Sequence, residues 1–485
     1  MSTSTSADNI DPADAAAHLE AGRLGRTALV SLSLSAFYPA VSLALVPFLV
    51  FTTAGVTAWQ SSLLATLAVV YIGRAVIVFA RRYVATGSLY SYIAEVFGPW
   101  ARYLTGAALL GGYITVVTGA VAFVGVFVGS FLYSRGLTTA LQFGPQAVIF
   151  AITLAGAAAI ALRGLGTSVR IAVVLAVLAL PLVVVITVAS AHHTGLDLAH
   201  QFVFDFSLSH TMQGIAVGAA LLIGFESCAV LATETRDPLR NVPVAVMAAP
   251  VVLGGLLPIV TILQVPGLAA ASDQLAAGMS APAALAIQSG LGTSVATATD
   301  LVLAVASFAS LIGFVNYAAR FALALAEDGL LPDAIAHVHP RYHSPYVAIG
   351  ALAVTGFAMG SGLVFWTGDI VSAYTPIATL IVYLWVLPYV LIAAGAIVLT
   401  VRAREFRPGL WIAAAIGAAA MAWSYLNGLI NPPAPPAGSM AWVAVVVIAA
   451  LVVAFTANQR WRTRQSQHER TDRTTSTGPT RVMNA

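Results

Sequence analysis

The sequence predicts an all-α polytopic membrane protein with twelve membrane-spanning helices. Three observations carry that reading. Of 485 residues, 59% are hydrophobic and only 8% charged, against roughly a quarter charged in soluble domains. Mean hydropathy is +0.90 over the whole length, so the apolar character is not confined to one anchor. Uncharged windows long enough for a span, ~20 residues, recur along the chain. A soluble globular protein is excluded, as is a single anchor carrying a soluble domain.

Taken in order, the windows define the spans. Residues 27–73 lack Asp, Glu and Arg and are long enough for two helices, divided at the turn signal Thr52-Thr53-Ala54-Gly55. Single spans follow at 103–134, 136–162, 171–196, 206–225, 241–272, 301–319, 342–368 and 370–401. The window 408–459 again holds two, divided at Asn431-Pro432-Pro433. Residues 274–299 are uncharged as well, but Gly278, Pro282, Gly290 and Gly292 interrupt them. Irregular backbone does not face lipid, so this stretch is expected to be a re-entrant or surface loop.

The charges set the topology. All 22 basic residues are Arg, and the positive-inside rule keeps such residues in cytoplasmic loops. An N-terminus placed inside and followed by twelve crossings puts every Arg on the cytoplasmic side except Arg135, outside, and Arg74, within a span. Both termini are then cytoplasmic, in a plasma-membrane protein. The pI near 9.0 comes from arginines dispersed at span ends, so no nucleic-acid partner is expected. Residues 1–25 have no apolar core of the kind a signal peptide needs and are expected to be disordered. The Thr/Ser/Arg-rich segment 459–485 is expected to be a disordered cytoplasmic tail. Cys228 is the single cysteine, which excludes an intrachain disulfide and a Cys-based metal site. His192, His193, His200 and His210 fall on the outer side as solvated residues, and neither a metal nor a cofactor is expected.

Two spans have irregular centres. In the first, Ser35-Ala36-Phe37-Tyr38-Pro39-Ala40-Val41-Ser42 puts Pro39 mid-helix, where it lacks an N–H and clashes with a preceding carbonyl. The helix is expected to break there. In the sixth, Ile223-Gly224-Phe225-Glu226-Ser227 sets a helix-weak Gly beside a carboxylate inside the membrane, where a central charge costs ~2.5 to 3.5 kcal/mol on insertion scales. These two spans open two five-span halves, residues 26–192 and 208–400, with 401–458 forming helices 11 and 12. Matched interruptions in two halves point to an inverted repeat with a site at the membrane midplane. Freed N–H groups at a half-helix N-terminus suit a carboxylate, and freed carbonyls suit an ammonium or small cation. An α-amino acid carries both groups.

Three motifs in order extend this reading. Gly224-Phe225-Glu226-Ser227 is followed by Glu234-Thr235-Arg236-Asp237-Pro238-Leu239-Arg240-Asn241-Val242-Pro243. Ala319-Arg320 is followed by Ala326-Glu327-Asp328-Gly329-Leu330-Leu331-Pro332 and His339-Pro340. Thr86-Gly87-Ser88-Leu89-Tyr90-Ser91-Tyr92 precedes Phe97-Gly98. With these the chain, over about residues 27–400, resembles the amino acid–polyamine–organocation (APC) permease family. The resemblance implies a LeuT-like 5+5 inverted-repeat core with two additional C-terminal helices. It also implies alternating access and an amino acid or related small amine as substrate, with proton coupling, sodium coupling or exchange. Carried over residue by residue, it places substrate-binding groups at Tyr38, Pro39, Ala40, Val41 and Ser42 in the first break and at Ile223, Gly224, Phe225 and Glu226 in the second. Ser307, Ser310 and Phe314 form a facing helical stripe on the eighth span.

The chain departs from the family in three places. Pro39-Ala40-Val41-Ser42 replaces a Gly-Ser-Gly-like loop. The fifth span has no Lys between Ser168 and Ala191. The gate position ahead of the sixth-span break holds Ala219 and Ala220, leaving Phe225 or Tyr38 to gate.

The expected function is therefore secondary transport of an amino acid or small amine. Glu226 is the candidate proton-responsive group, being the sole acid found deep in a span. The alternative for it is a neutral or capping carboxylate that holds the second half-helix, and for Ser307 and Ser310 it is hydroxyls bonded to their own i−4 carbonyls. A second function class is a non-transporting membrane sensor or scaffold of transporter-like fold. Catalytic residues are not expected.

Overall fold

The structure, a computed structural model, describes residues 22–85, 87–203, 208–276 and 278–476, with the backbone alone at 208, 209 and 466–476. Most of the expected disordered N-terminus, Thr86 of the third motif, residues 206–207 of the sixth window, Ala277 and the last nine tail residues lie outside the described residues. Among the described residues the only β-structure is two isolated bridges. Ten helical stretches among the described residues are long and apolar enough to cross a membrane.

Helices of eight residues or more are numbered in chain order. They are α1 (Arg26–Ala36), α2 (Pro39–Ala54), α3 (Ala58–Ala80), α4 (Leu89–Phe97), α5 (Pro99–Ser134), α6 (Phe143–Leu162), α7 (Leu165–Thr194) and α8 (Leu208–Ala219). There follow α9 (Pro238–Ala270), α10 (Ala281–Gln288), α11 (Thr293–Glu327), α12 (Tyr346–Thr367), α13 (Ile370–Arg402), α14 (Pro408–Ile430) and α15 (Met440–Ser476). The first of the ten stretches, Arg26–Ala80, takes in α1, α2 and α3 together.

Long α5 and α11 form the centre and are buried over most of their length. α5 packs on α11 and α13, and α3 packs on α9. Around the rim α6, α7, α14 and α15 expose Ile152, Leu178, Ile412 and Val453, as helices bathed in hydrocarbon do. Small residues bring the central helices close: a Cβ at Gly112 of α5 would stand 2.3 Å from Cζ3 of Trp385 in α13.

Proline is tolerated where other groups take the carbonyls it frees. α9 runs unbroken through Pro243, Pro250, Pro258 and Pro266. Pro258 cannot bond the carbonyl four residues back, Gly254, and the Thr66 hydroxyl donates to that oxygen at 2.8 Å. Pro266 frees Ile262, whose carbonyl accepts the Gln201 side-chain amide at 3.1 Å.

Two expectations need correction. Residues 274–299 are not a simple loop: they contain α10 and the first turns of α11. Ser280 caps α10 through Ala283 N at 3.4 Å, and Pro282 sits in the first turn, where no N–H is needed. The tail expected to be disordered from Gln459 onward begins inside a helix, because α15 continues to Ser476. No Gly or Pro interrupts that stretch, and Asn458 donates to the Gly329 carbonyl at 3.0 Å. Arg462 pairs with Asp333.

Candidate functional site

The first irregular centre is a true break. α1 ends at Ala36, Tyr38 adopts the left-handed conformation at φ 50°, ψ 52°, and Pro39 starts α2 at a position where its missing N–H costs nothing. The Phe37 carbonyl accepts the Ser42 hydroxyl at 2.9 Å, and Ser310 of α11 donates to the Ser35 carbonyl at 3.0 Å. The first helical hydrogen bond of α2 is Ser42 N–H to Tyr38 O at 2.6 Å. Helix geometry leaves the buried N–H groups of Ala40 and Val41 with no i−4 partner.

The second break lies between α8 and a 3-10 segment, Phe225–Leu231, with Gly224 left-handed at φ 83°. The N–H of Gly224 donates to the Tyr389 hydroxyl at 2.8 Å. Glu226, 1% exposed, turns its carboxyl towards α13: Oε1 accepts the Trp385 indole N–H at 2.8 Å, and Oε2 lies 2.8 Å from the Tyr389 hydroxyl. Neither partner is charged. An ionised Glu226 accepts from both, whereas a protonated one donates to Tyr389, so the same geometry serves either state. Ser227 meets the Tyr113 hydroxyl of α5 at 3.0 Å. The Ser88 hydroxyl donates to the Glu226 carbonyl at 3.2 Å.

Between the two breaks is a cavity of about 20 Å³ lined by Phe37, Tyr38, Gly119, Phe123, Ile223, Phe314 and Tyr374, among others. It has room for about one water. The aromatic walls are interlocked: Tyr38 stacks on Phe314 with centroids 5.9 Å apart and meets Phe123 edge-on at 5.4 Å, and Phe123 lies 4.8 Å from Tyr374. Tyr374 and Ala378 also border a second cavity of about 160 Å³, lined by Thr52, Thr53, Gln213, Asn427 and Asn431. This second cavity is a vestibule at one end of the bundle.

The opposite end is closed by polar contacts. Arg320 grips Glu234 through Nε at 2.5 Å and Nη2 at 3.0 Å, both side chains being nearly inaccessible. Its Nη1 donates to Asn316 Oδ1 at 3.1 Å. The segment ahead of α1 joins them: Leu24 N–H donates to the Glu234 carbonyl at 2.8 Å, and Arg236 N–H to that of Leu24 at 2.9 Å. Beside them Tyr90 of α4 donates to Asp328 at 2.7 Å and accepts from Arg102 Nε at 2.6 Å. Burial, reinforced by the Asp328 carboxylate and opposed by Arg102, holds the Tyr90 hydroxyl well above its usual pKa.

Of the residues expected from sequence, Tyr38, Ile223 and Phe314 meet at the central cavity. Pro39 to Ser42 are buried in the first turn of α2, and Phe225 packs on Tyr389 at 5.6 Å. Glu226 faces α13 rather than the cavity. Ser307 donates to its own i−4 carbonyl, Leu303, at 2.8 Å, while Ser310 divides between the Ser35 carbonyl and that of Ala306, 3.4 Å away. Sequence reasoning missed Phe37, Phe123, Tyr374, Trp385 and Tyr389, aromatics that look like ordinary core along each helix. Asp300 corrects the reading of Glu226 as the sole acid deep in a span. It is 3% exposed in α11 and accepts from Ser130 at 2.6 Å and Ser280 at 2.5 Å. No group of three or more His, Cys, Asp or Glu that could hold a metal occurs among the described residues.

A multi-pass helical membrane protein whose paired helix breaks enclose a small cavity below a vestibule has the architecture of a transporter. The sequence profile of the amino acid permease family, within the APC superfamily, matches residues 24–452, and the chain belongs to that family. Similar proteins include an uncharacterized transporter of Mycobacterium tuberculosis, 29% identical over 66% of this chain and 76% of the relative. A branched-chain amino acid permease of Lactococcus lactis is 28% identical over 61% of this chain and 67% of its own length. A methylthioribose transporter of Bacillus subtilis is 24% identical over 56% and 61%.

Proposed function

We propose that the chain is a secondary transporter that carries a zwitterionic amino acid with an apolar side chain across the plasma membrane by alternating access. The observation that carries this is the placement of two helix breaks on either side of one aromatic cavity. The Ala40 and Val41 N–H groups, at a half-helix N-terminus, suit the carboxylate. The Phe37, Tyr38, Phe123, Phe314 and Tyr374 rings suit an aliphatic or aromatic side chain. The named cavity residues carry no charge, which disfavours a polyamine. Similarity to the branched-chain amino acid permease of Lactococcus lactis supports the same class.

In this reading the chain crosses twelve times, with α1 and α2 together as the first span and α8 with the 3-10 segment as the sixth. Both termini are cytoplasmic. The packing of α3 on α9 and of α5 on α11 supports a five-plus-five repeat, since each pair couples equivalent spans of the two halves. Substrate enters from the vestibule, Tyr374 and Tyr38 swing aside, and release requires the Arg320–Glu234 end to open. Glu226 is the proton-responsive group: its protonation reverses the hydrogen bond with Tyr389 and so acts on the Gly224 break.

Reconstitution into liposomes tests this directly. Leucine, isoleucine, valine, phenylalanine, arginine and putrescine are supplied with imposed proton or sodium gradients. Uptake of the apolar amino acids, driven by a proton gradient, is expected; preference for putrescine or no uptake of any would overturn the substrate reading. Glu226→Gln, which mimics the neutral acid, is expected to transport without pH dependence. Retention of the wild-type pH profile would remove Glu226 from coupling.

A further inference from the structure

We propose that the protein carries a site for an anionic phospholipid in the groove between α1, α3 and α9. This groove, about 960 Å³, is lined at one end by Arg26, Arg81 and Arg240 and along its length by Ile77, Met247 and Val251. Arg82, Arg102, Arg320, Arg407 and Arg462 each have a carboxylate partner. Among the described residues Arg26, Arg81 and Arg240 form no ion pair, although three guanidinium groups beside one groove repel one another. Their charge is left for a ligand, and guanidinium forks match phosphate oxygens.

The apolar wall identifies which phosphate. Arg240, Val244, Met247 and Val251 recur at helical spacing along one face of α9, and Arg81 stands one turn from Ile77. From Arg240 to Val252 the wall rises about 18 Å at 1.5 Å per residue, close to half of a hydrocarbon core of about 30 Å. A headgroup held by the arginines therefore lays its acyl chain along a wall about one leaflet deep. A soluble phosphate uses none of that wall. Basic pockets between spanning helices on the cytoplasmic side take anionic headgroups for the same reason, and these arginines belong to the set that the positive-inside rule places on that side. Arg81 and Ile77 also border a second groove, of about 450 Å³, which adds Arg74. The basic edge is thus continuous along α3. The site stands whichever substrate the transporter carries.

The test uses full-length protein purified in detergent and stripped of lipid. Phosphatidylglycerol, phosphatidylcholine with the same acyl chains, or glycerol phosphate is added, and binding is read by native mass spectrometry and by the unfolding temperature. Phosphatidylglycerol is expected to bind and to raise the unfolding temperature more than phosphatidylcholine, while glycerol phosphate alone does neither. Each arginine lost weakens binding about fivefold, so Arg81→Gln with Arg240→Gln lowers affinity about 25-fold. Ala248→Trp fills the groove while leaving the arginines, and is expected to displace the same lipid. Arg81→Gln alone changes one exposed side chain and keeps the comparison valid if a larger change disturbs folding. Equal binding of the two lipids, unchanged phosphatidylglycerol binding in the variants, or full competition by glycerol phosphate would overturn the proposal.

Discussion

The Tyr389 hydroxyl lies 2.8 Å from Glu226 Oε2 while accepting the N–H of Gly224, also at 2.8 Å. One phenol thus ties the break at Gly224 to a buried acid, and both ties run to α13. Tyr389→Phe removes the group that both bonds need and leaves a buried N–H and a buried carboxyl oxygen short of a partner. The expected loss of stability is about 1–3 kcal/mol. Thermal unfolding of the purified variant against wild type measures this; an unchanged unfolding temperature would show that neither bond contributes.

Gly112 is expected to behave as part of the same unit although it carries no polar group. A methyl at this position collides with the Trp385 ring, and that indole donates to Glu226 at 2.8 Å. Gly112→Ala is therefore expected to alter the pH profile of uptake by displacing the indole from Glu226, and to lower stability by about 1–3 kcal/mol through overpacking. A wild-type profile together with wild-type stability would show that α5 and α13 separate freely.

Arg320 and Glu234 form a bidentate pair almost closed to solvent. Arg320→Met leaves a buried carboxylate unpaired, and a loss of about 3–5 kcal/mol is expected. Replacing both, Glu234→Gln with Arg320→Met, removes the uncompensated charge and is expected to restore part of it. A double variant as unstable as the single one would show that packing, not charge, dominates this contact.

Cys228 provides a native reporter of opening. It is the one cysteine of the chain, fully buried, two residues beyond Glu226. Maleimide labelling is expected to be slow in wild type and at least tenfold faster in Arg320→Met, because the contact that closes this end is lost. Equal rates in the two proteins would place the opening elsewhere.

The two breaks were legible in the sequence because their causes are local. Pro39 lacks an N–H, and Gly224 accepts a left-handed backbone beside a costly carboxylate. The central cavity was not legible, since Phe123, Tyr374 and Phe314 come from three distant helices and each looks like core along its own. The partners of Glu226 stayed hidden for the same reason: Trp385 and Tyr389, one turn apart on α13, carry no mark that separates them from packing aromatics. Asp300 is not legible as a buried acid because it stands between two uncharged windows, at the end of a stretch that reads as a loop. In fact α11 starts seven residues earlier, at Thr293, and Ser130 and Ser280 converge on the acid from elsewhere in the chain.

The contracted cavity between the breaks bears on energy conservation as well as on recognition. Walls of Phe37, Tyr38, Phe123, Phe314 and Tyr374 around about 20 Å³ leave space for about one water, too little for a chain of waters to pass protons. With Arg320 clasping Glu234 beyond it, this conformation is a poor conduit for ions. In the proposed transport cycle this geometry suppresses leak across the membrane between turnovers.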